Sequence, residues 1–122
     1  QADGGTRTAS ITAGYLALAQ AVHRLSRDGS LPDGVLPDSV AAVSAGIVGQ
    51  DLLLDLCYEE DAKAEVDFNV VMTGSGDLVE VQGTAEGKAF TREQLDGLLG
   101  LAGRGIEQLT EFQRQVLSGQ LG

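Results

Sequence analysis

The sequence predicts an α+β fold, a two-layer α/β sandwich with two long helices on a mixed sheet of about four strands. Two patterns carry this expectation: apolar residues recur at helical spacing near both ends of the chain, and between them lie four short apolar or alternating runs joined in pairs by turn residues. A length of 122 residues with 43% hydrophobic content suits a single small domain with its own core.

In the first helix, Ile11, Tyr15, Leu18, Val22 and Leu25 alternate spacings of four and three, which predicts one apolar stripe from about Thr8 to Arg27. The other side is small: Ala9, Ala13, Gly14, Ala17 and Ala21 allow close approach of a second element. His23 falls near the C-terminal end, where a protonated imidazole suits the helix dipole; acid–base work would need an orienting partner, and none is suggested nearby. Asp28-Gly29 ends the helix and SLPDGVLPD forms a loop.

SVAAVSAGIV and LLLDLCY flank Gly49-Gln50-Asp51 and read as a hairpin, with Leu52, Leu54, Leu56 and Tyr58 on one face and Asp55 on the other. DFNVVM and LVEVQ flank the turn Thr73 to Asp77 and make a second one. There Phe68, Val70 and Met72 share a face while Asp67 and Asn69 share the reverse.

The second helix opens near Thr91. Thr91 and Gln94 have capping-box spacing, and Phe90 stands where it would staple against Leu95. Leu95, Leu98, Leu99, Ala102, Ile106, Leu109 and Val116 then keep helical period, with Gly119 as the expected stop. Gly97, Gly100, Gly103 and Gly105 each cost about 1 kcal/mol relative to alanine in a helix, so tight packing of helix on sheet must compensate.

The net charge of −10 argues against a broad basic surface for nucleic acid on this chain. Cys57 is alone, so no intrachain disulfide can form; within LLLDLCY it reads as a packed thiol in a reducing compartment. No apolar run is long enough to span a bilayer, and no targeting signal is visible.

Two constellations carry candidate chemistry. Gly4 and Gly5 precede Thr6, Arg7 and the helical pattern, so free backbone N–H groups, a hydroxyl and a planar guanidinium converge as a phosphate site requires; a plain helix cap with an exposed arginine has the same composition. Glu59, Glu60, Asp61, Glu65 and Asp67 put five acids in nine positions, either a solvated acidic turn or a divalent-metal site.

Together, QADGGTRTASIT, EEDAKAEVDFNVVMT and EVQGTAEGKAFT resemble the bacterial ribonuclease PH family in order and spacing, over essentially all of residues 1–122. The resemblance implies the ribosomal S5 domain 2-like, RNase PH type of fold. It also implies a phosphorolytic 3′→5′ exoribonuclease of the cytoplasm, a reversible nucleotidyltransferase that trims tRNA precursor 3′ ends with inorganic phosphate as co-substrate. Gly5, Thr6 and Arg7 would bind that phosphate. Asp61 and Asp67 match the paired acids of D-x-x-x-x-x-D-x-N and would bind Mg²⁺ and serve catalysis, with Asn69 orienting a carboxylate. Lys63 in the same loop reads as an exposed lysine within reach of an acid or an RNA phosphate.

The upstream half of the family's sequence is absent, so residues 1–122 are expected to be the C-terminal half of the domain: a fragment, a split subunit or a cleaved form. Activity would then need the missing N-terminal half or an equivalent chain. The family implies a homohexameric ring, with RNA held largely by basic surface outside this acidic chain. A non-catalytic ring-forming subunit of an exosome-type assembly is the main alternative, and the presence of Thr6, Arg7, Asp61 and Asp67 favours the enzyme.

Overall fold

Among the described residues four strands in the spatial order β2-β1-β3-β4 form the central sheet: β1 (Val40–Val48), β2 (Asp51–Leu54), β3 (Val66–Thr73) and β4 (Leu78–Ala85). Helices α1 (Gly4–Arg27) and α2 (Arg92–Leu121) precede and follow them in a computed structural model that describes residues 4–32, 34–54 and 65–121. The α+β class, the strand number and both hairpins are as expected, the first as far as Leu54, since Asp55, Leu56 and Tyr58 lie outside the described residues. All three described ladders are antiparallel, however, where a mixed sheet was expected, because both hairpins and the β1–β3 pairing run antiparallel.

The sheet has two unlike faces. Ala41, Val43, Ala45 and Ile47 of β1 join Val66, Phe68 and Val70 of β3 and Leu98, Ala102 and Ile106 of α2 in one buried apolar cluster. The reverse face carries Ala42, Ser44 and Gly46, and α1 lies against it, with Thr8 hydrogen-bonded to Ser44. Every residue of β1 from Ala41 to Ile47 is therefore buried, and its run of small side chains lets a helix approach from either side.

Helix α1 begins at Gly4, ahead of the expected start near Thr8, so Gly5, Thr6 and Arg7 belong to its first turn. It stops as expected. Gly29 adopts a φ of 85°, and its N–H donates to the Ser26 carbonyl at 3.2 Å while Ser30 N–H donates to the Leu25 carbonyl at 2.8 Å, the two bonds of a glycine-terminated helix end. The expected apolar stripe is buried only in part: Ile11, Tyr15 and Val22 are half-buried beside the buried Thr8 and Ala19, whereas Leu18 and Leu25 are 52% and 41% exposed, and Ala9, Ala13, Gly14 and Ala17 of the expected small side are exposed. Small and hydroxyl side chains face the sheet because they permit close approach and hydrogen bonding to it.

Along one margin of β1 the pairing with β2 reaches only from Val48 to Ala45 among the described residues. Beyond it, Thr12 Oγ1 accepts from Ala42 N–H at 3.0 Å and lies 3.2 Å from the Ala42 carbonyl. The Gln113 amide of α2 donates to the carbonyls of Thr12 and Val40, each at 3.1 Å, so both helices share in closing this edge.

At the head of α2 the capping box forms: Gln94 N–H donates to Thr91 Oγ1 at 3.0 Å, and Thr91 N–H to Gln94 Oε1 at 2.8 Å. Tight packing accounts for two of the α2 glycines, Gly97 and Gly105. A Cβ on Gly97 would stand 2.9 Å from Leu52 Cδ1, and one on Gly105 would stand 2.7 Å from Leu54 Cδ2. The helix continues through Gly119, where a stop was expected, to Leu121.

Candidate functional site

On β3 the side chains alternate, so Phe68 and Val70 enter the core while Asp67 and Asn69 stand half-buried on the α1 face. Register supplies their neighbours. Asp67 lies between Gly46 of β1 and Thr84 of β4, and Asn69 lies between Ser44 and Gln82. Gly46 itself places no side chain beside Asp67 on this polar shelf.

The first turn of α1 is tied to the same face at two points. Ser44 Oγ donates to Asn69 Oδ1 at 2.8 Å, and Thr8 Oγ1 lies within hydrogen-bond distance of Ser44 Oγ at 3.2 Å. Thr8 and Ser44 are both buried, so this chain of contacts ties the helix to the acid-bearing strand. Farther across, Arg7 Nη2 donates to Glu80 Oε2 of β4 at 2.6 Å.

Gly5, Thr6 and Arg7 thus occupy a helix N-terminus whose leading N–H groups have no partner within the helix and whose dipole favours an anion. Among the described residues the first turn carries no acidic side chain. Thr6 and Arg7 are exposed to solvent. The guanidinium does not wait free, since Glu80 holds one of its ends.

Asp61 lies outside the described residues, as do Cys57, Glu59, Glu60 and Lys63. Among the described residues no group of three carboxylate, histidine or cysteine side chains could hold a metal ion. Mg²⁺ takes hard oxygen donors, needs one or two carboxylates and keeps several waters, and half-buried Asp67 with Asn69 on the same strand face offers oxygen donors of that kind.

His23 lies sixteen residues beyond Arg7, about 24 Å along the helix axis. Its Nε2 is buried with no hydrogen-bond partner among the described residues, at a cleft of about 330 Å³ that Tyr15, Arg27, Leu36 and Leu117 also line. Burial and then the Asp38 charge push the Tyr15 phenol above its usual value, so it stays neutral there. This cleft is separate from the shelf that bears Asp67.

Thr8, Ser44 and Glu80 were not singled out by the sequence reading. The Thr8–Ser44 contact spans 36 residues and the Arg7–Glu80 pair spans 73, and separations of that kind leave no local pattern. The available signal was weak: Glu80 opens the run EVQGTAEGKAFT, one of the three motifs that carried the resemblance.

Residues 38–105 match a model of the 3′ exoribonuclease family, domain 2. Over 117 residues and 96% of its length the chain is 61% identical to the ribonuclease PH of Moorella thermoacetica, covering 47% of that protein. With the ribonuclease PH of Bacillus subtilis it shares 55% identity over 122 residues, 99% of this chain and 50% of the relative. The chain spans about half the length of the curated relatives it matches.

A chain from an Archaeoglobus fulgidus exosome with RNA bound to the active site superposes on 71% of this chain and 35% of its own length, with a TM-score of 0.54 and 24% identity, which speaks for a shared fold. Among the described residues no helix is long and apolar enough to cross a membrane. The domain 2 match contains all four strands and with them Ser44, Asp67, Asn69 and Glu80. On that match, and on identity above one half to ribonuclease PH across nearly its whole length, the chain belongs to the 3′ exoribonuclease family.

Proposed function

We propose that this chain forms the C-terminal half of a ribonuclease PH-type phosphorolytic exoribonuclease, which trims tRNA precursor 3′ ends and releases nucleoside 5′-diphosphates. One observation carries the reading: the first turn of α1 and Asp67 share a single face of the sheet, joined through Thr8, Ser44 and Asn69.

Inorganic phosphate binds at the N–H groups around Gly5, the Thr6 hydroxyl and the Arg7 guanidinium, which orient one of its oxygens toward the terminal phosphodiester. That oxygen forms a new bond to phosphorus as the bond to the 3′-oxygen breaks. The RNA leaves one nucleotide shorter with a free 3′-hydroxyl, and the released nucleotide carries the added phosphate. Because an ester is exchanged for an anhydride, the step runs in either direction. Asp61 and Asp67 would hold a Mg²⁺ ion, which would supply positive charge against the phosphorus oxygens and the departing 3′-oxygen. The Asn69 amide, fixed by Ser44, keeps its strand position beside Asp67.

The remaining parts of the machinery come from an N-terminal half or an equivalent chain, and the assembly is a homohexameric ring in the cytoplasm. Exposed apolar side chains support association: Leu18, Val79 and Phe112 are each more than half exposed. The basic groove for RNA lies on the other chains, in keeping with the net charge of −10.

The test is nucleotide release from an RNA 3′ end by the full protein, with and without added phosphate and Mg²⁺. Diphosphates released only when phosphate is present support phosphorolysis. Monophosphates released without phosphate would refute it, and no release by a folded, RNA-binding assembly would favour the non-catalytic subunit.

A further inference from the structure

We propose that Glu80 is a positioning residue for this reaction, holding the Arg7 guanidinium at the first turn of α1 so that the fork is in place before phosphate arrives. This rests on the phosphate-binding reading of Arg7 above. The direct observation is the 2.6 Å bond from Arg7 Nη2 to Glu80 Oε2, which joins the helix to a strand 73 residues away.

A second, independent observation is the register of β4. Leu78 pairs with Met72, yet Glu80 pairs with Val71, so Val79 is an extra residue at a β-bulge. Met72 belongs to the face packed on α2, and its Cε would lie 3.7 Å from a Cβ on Gly103. Val71 belongs to the α1 face. Plain alternation from Leu78 would put Glu80 against α2, because residues two apart in a strand point the same way. The bulge moves Glu80, and with it Gln82 and Thr84, to the face where α1 stands. Bulges beside functional sites re-aim side chains in this manner.

Fold stability does not account for the device. The two side chains are 43% and 38% exposed, and ion pairs at that exposure add little to stability. The chemistry of arginine does account for it. Its long stem must be ordered before the fork can grip a phosphate, and a partner that orders it in advance removes that cost from binding. Of the five N–H donors, Glu80 engages those at one end, which leaves others for an anion. The carboxylate also repels an arriving phosphate, but solvent screens that repulsion at an exposed pair, so ordering is the larger effect.

The experiment is steady-state phosphorolysis by the full protein with phosphate varied, for the parent, Glu80→Ala, Glu80→Gln, Arg7→Ala and the Glu80→Ala, Arg7→Ala double variant. Glu80→Ala is expected to raise the phosphate KM about tenfold, with kcat at saturating phosphate and the RNA KM within about twofold of the parent. Glu80→Gln keeps an acceptor oxygen at the same reach and should recover most of the loss. In the Arg7→Ala background, Glu80→Ala should add nothing further.

A lower phosphate KM in both Glu80 variants would overturn the proposal, because Glu80 would then be a competitor of phosphate. An unchanged phosphate KM with a lowered melting temperature would overturn it too, leaving a structural contact. Failure of the underlying reading looks different: Arg7→Ala itself would leave the phosphate KM unchanged, or the parent would release nucleotides without phosphate.

Discussion

Thr12→Val isolates one hydroxyl at the margin of the sheet. Thr12 Oγ1 accepts from Ala42 N–H at 3.0 Å and has two carbonyls, those of Ala42 and Thr8, each 3.2 Å away for its single proton. Valine has nearly the same shape and a similar helix propensity, so volume and propensity largely cancel. What remains is the lost acceptor. Ala42 is only 3% exposed, so water cannot readily replace it, and an unsatisfied buried donor costs about 1–3 kcal/mol. In a domain of this size 1 kcal/mol moves the melting temperature by about 4 °C, so Thr12→Val should melt roughly 4–12 °C below the parent. Thr12→Ser keeps the oxygen and should lose less than Thr12→Val. Thermal and urea unfolding followed by circular dichroism would measure both. The reasoning fails if Thr12→Val stays within about 0.5 kcal/mol of the parent or if Thr12→Ser is equally damaging.

Glycines on the two layers should respond oppositely. A Cβ on Gly83 would meet the Phe68 ring at 2.8 Å and Phe90 at 3.4 Å, so Gly83→Ala should destabilise by about 1–3 kcal/mol. Gly14→Ala in α1 meets nothing within 4 Å and should stabilise by roughly 0.5–1 kcal/mol; calorimetry giving both changes the same sign would contradict this. Asp38 should leave a mark on acid stability. Its carboxylate accepts from Ser75 Oγ at 2.6 Å and from Ser39 N–H at 2.8 Å, and these bonds hold it below the usual carboxylate value. The native state then binds fewer protons than the unfolded chain, so this contribution is complete above the unfolded value near pH 4 and is lost as pH falls through the lower folded value. Melting curves of the parent and Asp38→Asn should therefore converge on acidification, and parallel curves would reject the assignment. At the shelf, Asp67→Asn should lower phosphorolysis by several orders of magnitude with RNA affinity unchanged and should weaken Mn²⁺ binding measured by electron paramagnetic resonance; turnover within about threefold of the parent at saturating Mg²⁺ would end the metal role.

Much of the fold was legible because its signals are local. The Thr91 and Gln94 pair closes on itself over three residues, the hairpins are marked by their turns, and strict alternation alone separates Asp67 and Asn69 from Phe68 and Val70. The packing requirement read from the α2 glycines holds at Gly97 and Gly105, which make the tight approaches, and not at Gly100 and Gly103, where a Cβ would meet only ordinary contacts. Of the candidate site residues, Gly5, Thr6, Arg7 and Asp67 fall on described elements, and Asp61 lies beyond them.

By itself the sequence determined the element types, the polar face of β3 and the motifs shared with the family, since each depends on residues a few positions apart. The tertiary structure alone decided which side of α1 is buried. Helical periodicity marks an apolar stripe from Ile11 to Leu25, but the helix meets a sheet face bearing Ser44, where Thr8 and Thr12 hydrogen-bond, so Ile11, Tyr15 and Val22 are half-buried while Leu18 and Leu25 stay exposed. It also decided that Arg7 meets Glu80, because a single extra residue at Val79 reverses the facing of the rest of β4, and that reversal follows from the pairing with β3 rather than from the sequence of β4 alone.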